Sequence, residues 1–104
     1  QYSKEREDVK QELNQWLRWW RDMLLIKEGN EGFVYNMDWM DTLCRNAEGV
    51  TTVQIVKTIK TVQDSIEALD SNANPRLVLE VMMLTLPGRW LNNGKDGRYS
   101  IPPG

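Results

Sequence analysis

The 104-residue chain has no histidine, a single cysteine and a single phenylalanine. Histidine is the commonest general base and metal ligand near neutral pH, so catalytic readings start at a disadvantage. Cys44 cannot form an internal disulfide and has no histidine to activate it. Beside Met40 and Leu43 it reads as a small buried hydrophobe in a reducing cytosol. No apolar run reaches the roughly 18 to 20 residues that span a bilayer, and the start is charged instead of signal-like, so a soluble cytoplasmic chain with no membrane partner is expected. A glycine-rich loop ending in Lys-Ser or Lys-Thr is missing, which argues against direct ATP binding. Charge of one sign is missing too: 13 basic and 15 acidic residues leave a net −2, too little to draw in nucleic acid or an anionic surface. The carboxylate pairs Glu7 with Asp8, Glu28 with Glu31 and Asp38 with Asp41 fall in caps or on polar faces, and no inward-facing acidic set assembles for a metal. We therefore expect no enzyme, with no catalytic, cofactor-binding or metal-binding residues.

What is present is helical periodicity. From about Ser3 to Glu28, Val9, Leu13, Trp16, Trp20 and Met23 recur at steps of three and four, with Leu17 and Leu24 widening the stripe of a long amphipathic helix. Gly29 can close it in the left-handed conformation, and residues 30–35 read as a loop. Asn36 or Asp38 can cap a short helix carrying Trp39, Met40, Leu43 and Ala47, with Gly49 as its stop. A third helix begins near Thr51 or Thr52, its stripe made of Ile55, Ile59, Val62, Ile66 and Leu69. Its β-branched content favours strand, but the spacing is not alternating, so the period decides for helix.

The last helix has the clearest start. Asn74 can accept from the free N–H groups of the first turn, Pro75 lacks an N–H that would go unpaired there, and Arg76 can pair with Glu80 one turn on. From Leu77 to Leu86 only Glu80 and Thr85 are clearly polar, so this helix needs shielding on several sides. The expected fold is all-α: a compact bundle of four to five helices in residues 1–87, followed by a tail, 88–104, irregular or docked through Trp90, Leu91, Tyr99 and Ile101. The start at Gln1, already in a charged helical pattern, suggests a domain cut from a longer protein.

On a helical projection Trp16 and Trp20 centre the first stripe, while Trp19 and Ile26 lie at one edge with Met23 between. Trp19, Met23 and Ile26, with Val78 and Met82 on one side of the last helix, form the candidate subunit interface. Core packing accounts for Trp19 and Ile26 equally well, and the side of the last helix is open between Val78 with Met82 and Val81 with Met83. Arg18, Arg21, Lys57 and Lys60 could make a modest basic surface, but Asp22, Asp64 and Glu67 interrupt it, and solvated helix faces explain it better.

Two segments carry a family resemblance. Trp16-Leu17-Arg18-Trp19-Trp20-Arg21-Asp22-Met23-Leu24-Leu25, with Lys27 and Gly29, is similar to the opening of the C-terminal collar domain of the delta-prime subunit of the bacterial DNA polymerase III clamp loader. Asn74-Pro75-Arg76-Leu77, Leu79-Glu80-Val81 and the Met82-Met83-Leu84 run resemble its closing helix, although Thr85 stands where related chains often carry a basic residue. The resemblance implies a non-catalytic helical collar that holds clamp-loader subunits in a ring while attached modules load the sliding clamp during DNA replication. Its partners would be the gamma or tau and delta subunits, with DNA reached only through the assembled complex. The collar of the gamma or tau subunit, or an unrelated helical adaptor or DNA-binding module, are the alternatives.

Overall fold

Helix α1 (Ser3–Lys27) runs for 25 residues, with Glu5 in its first turn and Lys27 in its last, each opposite in sign to the helix end it occupies. The computed structural model describes residues 3–85. The predicted tail, residues 88–104, and the boundary at Pro87 lie outside the described residues. After α1 come two 3-10 turns, Glu31–Phe33 and Met37–Trp39, then α2 (Met40–Glu48), α3 (Thr52–Asp70) and α4 (Pro75–Thr85). The fold is thus the expected all-α bundle, and among the described residues there is no strand.

Each junction has a local cause. At Gly29, φ +78° lets the chain reverse, while Asn30 N–H donates to the Leu25 carbonyl at 2.8 Å and Gly29 N–H to that of Ile26 at 3.1 Å. These two bonds satisfy carbonyls that the helix end would leave open. The end of α3 repeats the arrangement with Asn72 at φ 69°: Ala73 N–H reaches the Ala68 carbonyl at 3.0 Å and Asn72 N–H that of Leu69 at 3.2 Å. Thr51 opens α3 through a reciprocal cap, in which its hydroxyl accepts from Gln54 N–H at 3.1 Å and its own N–H donates to Gln54 Oε1 at 2.9 Å. Asn74 Oδ1 accepts from Arg76 N–H at 3.0 Å, the cap expected for α4.

Helix α1 is the common partner, packing mainly against α3 and also against α2, while α4 lies on α3 and touches α1 less. Leu13, Trp16, Trp20 and Met23 of α1 share one core with Leu43 and Ala47 of α2, Ile55, Val62 and Leu69 of α3, and Met82 of α4. Full burial of each such leucine, isoleucine or methionine is worth about 1.5–3 kcal/mol. The buried stripe of α3 is rotated from the expected one. It runs Ile55, Thr58, Val62, Ser65 and Leu69, with Ile59 and Ile66 half-buried beside it. The two hydroxyls are satisfied within the helix, Thr58 donating to the Gln54 carbonyl at 2.8 Å and Ser65 to that of Thr61 at 2.9 Å. Small side chains here suit a helix whose main neighbour brings several tryptophans, because dense packing needs large groups set against small ones.

Candidate docking surface

The interface residues expected from sequence do not form a free surface. Trp19 is only 1 % exposed, Met23 and Met82 are buried with it, and Ile26 and Val78 are half-buried against the same core. The apolar face of α1 widens in its second half because the chain's own loop returns to cover that edge. Asp22, 2 % exposed and on the same edge one turn from Trp19, is the clasp. Its carboxylate accepts from Tyr35 N–H at 2.8 Å, from Asn36 N–H at 2.9 Å and from the Asn36 side-chain amide at 2.7 Å. In the sequence Asp22 stands out as an acid interrupting a basic patch and as a member of the Trp16–Leu25 segment, with no role in the fold assigned. The available signal was its position, since a carboxylate between Trp19 and Ile26 at helical spacing must find donors when that edge is buried.

Other side chains also differ from expectation. Asn36 spends its amide on Asp22 and makes no side-chain cap, and α2 starts at Met40 after a 3-10 turn without a side-chain cap. Trp39, expected on the short helix with Met40, lies in that turn and is exposed, whereas Met40 is half-buried. Cys44 is half-buried where full burial was expected. Arg76 reaches across to α1, its Nε 3.2 Å from Glu5 Oε2, instead of pairing with Glu80, which is exposed. This tie joins α1 to α4, but between exposed side chains it adds about 1 kcal/mol at most.

Apart from Val53 and Val56, exposed on α3, two surfaces remain apolar among the described residues. On α4 the inner side carries Val78, Leu79, Met82 and Met83, so the expected shielding on several sides is met on one. Leu77, Val81 and Leu84 form a straight outer row, with Leu84 80 % exposed. Beside this row a groove of about 310 Å³ runs between α3 and α4, floored by Ser65, Ala68 and Ala73 and walled by Leu77 and Val81. The second surface is the clasped loop. Val34 and Asn36 point inward, whereas Phe33, Tyr35, Met37 and Trp39 are exposed, Phe33 at 78 %. Arg18 of α1 stacks over the Tyr35 ring, 5.0 Å from its centre.

Among the described residues no three cysteine, aspartate or glutamate side chains come together as a metal-ligand set, and no helix is long and apolar enough to cross a membrane. No family model, characterised protein or solved structure matches the chain.

Proposed function

We propose that this chain is the helical collar domain of a clamp-loader subunit, nearest in kind to delta-prime. Its work is assembly: it holds neighbouring subunits in a ring for loading of the sliding clamp during DNA replication, in the cytoplasm, and carries out no catalysis itself. The observation that carries this reading is the outer row Leu77, Val81 and Leu84 on α4, which no described residue covers and which borders an apolar groove. A row at spacings of four and three is the face that a helix presents to another helix. Its place on the closing helix, the segment that resembles the collar family, supports the same reading. The contact face of α4 is then the row Leu77, Val81 and Leu84 rather than the buried Met82 side, with Val78 between them lining the same groove.

Co-purification of the full-length parent with the gamma or tau and delta subunits tests the proposal, using the intact parent, a deletion of this domain, and Leu77→Lys with Val81→Lys. Both positions are exposed, so the double variant should fold normally by circular dichroism. Loss of the complex in both altered proteins is the expected result. A complex that survives the deletion would place assembly elsewhere and favour an unrelated adaptor; one that survives only the double lysine variant would move the contact off α4.

A further inference from the structure

We infer that the clasped loop, residues 31–41, is a second docking surface, built for a protein segment that presents apolar side chains flanked by lysine or arginine. The inference does not depend on the collar reading.

Four large side chains, Phe33, Tyr35, Met37 and Trp39, are exposed within seven positions. Aromatic residues and methionine are concentrated at the centres of protein interfaces, and few monomers leave so many uncovered in one short segment. Their backbone is held in advance. Asp22 binds the loop at Tyr35 and Asn36, Val34 is buried beneath it, and Arg18 braces the Tyr35 ring. A partner therefore meets a loop whose ordering has already been supplied by folding, which removes part of the usual cost of association.

The charges around these side chains select the partner. From Glu28 to Asp41 the sequence has four acidic residues, Glu28, Glu31, Asp38 and Asp41, and no lysine or arginine. Met37, Asp38, Trp39 and Asp41 line one hollow of about 500 Å³, together with Arg45 of α2. Within residues 31–41, three acids, Glu31, Asp38 and Asp41, stand against Arg45 and the stacked Arg18, so acids are in excess there. An acidic surface repels nucleic acid and anionic membrane, and a second copy docking loop to loop would set like charges together. A basic apolar helix or strand meets neither obstacle.

The test is an NMR titration of the whole chain with two synthetic amphipathic helices of about 18 residues, long enough to be helical. Both carry the same leucine stripe; one is flanked by lysine, the other by glutamate. At low salt the lysine helix should bind about tenfold more tightly, a difference of 1.4 kcal/mol. It should shift the Trp39 indole signal and the amides of residues 33–41. Met37→Ala with Trp39→Ala should weaken its binding about tenfold, and Asp38→Asn with Asp41→Asn should narrow the preference between the helices. Because these side chains are exposed, unchanged amide spectra elsewhere will verify that the variants fold. Failure of the lysine helix to bind, equal binding of both helices, or shifts confined to Leu77 and Val81 would overturn the assignment. So would self-association abolished by Trp39→Ala, or a DNA duplex binding at these residues, since each installs a different occupant.

Discussion

A carboxylate taken out of water has to recover several hydrogen bonds, and Asp22 recovers three from one stretch of loop. Asp22→Asn keeps the volume but replaces one acceptor oxygen with an NH2 group aimed at donors. It should destabilise the chain by about 2–3 kcal/mol in urea unfolding. Asn36→Ala, which removes one bond and leaves both backbone bonds, should cost clearly less; equal losses would mean that the carboxylate is not the organising group. The same clasp explains why the edge of α1 was hard to read. Periodicity correctly placed Trp19 and Ile26 at a margin, but whether a margin faces solvent, a partner or the chain's own loop is settled by where residues 30–39 return. That is a tertiary fact with no helical period to announce it.

Among the elements, the end of α1 and the start of α4 were the most legible because their causes are local. The oxygen of Asn74, the ring of Pro75 and the backbone freedom of Gly29 each act within a few residues, whereas the expected cap of α2 at Asn36 or Asp38 is not made by a side chain. An added Cβ at Gly29 would meet no atom within 4 Å. Gly29→Ala should therefore lose only the cost of a left-handed backbone, about 1–2 kcal/mol, read from thermal or urea unfolding. Asn72→Gly, at φ 69°, should hold or slightly raise stability, because glycine fits that region better than asparagine does. A Gly29→Ala variant as stable as the parent would show that the turn can be rebuilt in another conformation. Less legible was the phase of α3, where the expected stripe counted only hydrophobic residues. Thr58 and Ser65 take buried positions because their hydroxyls bond to carbonyls one turn back, an option that a count of apolar residues overlooks. On α4 the pattern showed apolar side chains nearly all round but could not show which side faced α3.

At the scale of the whole molecule, ion pairs tie together segments far apart in sequence. Lys10 Nζ of α1 lies 2.7 Å from Asp70 Oδ1, at the last residue of α3. Asp70 sits at the helix end where a negative charge is least welcome, so the lysine offsets two unfavourable fields. Hydrogen bonding to Asp70, reinforced by its charge, raises the Lys10 pKa above the ordinary 10.5 despite some loss of hydration. The folded chain thus holds this proton more tightly than the unfolded one. The stability it supplies is complete below the ordinary lysine value and disappears as pH rises through the raised value. Unfolding of the parent and of Asp70→Asn should accordingly differ at neutral pH and converge in strong alkali; a constant gap across that range would remove Lys10 from the explanation. Fold class and the order of the helices were legible because they follow from patterns along the chain. The exposed apolar surfaces were not, since they depend on which apolar side chains are left over once the core is full.

The clasp at Asp22 also sets a clock. Amide protons in an exposed loop normally trade with solvent within moments, but those of Tyr35 and Asn36 are held by a buried carboxylate. In deuterated water these two protons should persist far longer than those of neighbouring exposed loop positions such as Gly32. If they vanish before the amides of the α1 core, the loop lifts while the helices stay assembled. If all vanish together, the loop releases only when the helices themselves unfold, and the backbone that carries its aromatic side chains keeps one path for as long as the fold lasts.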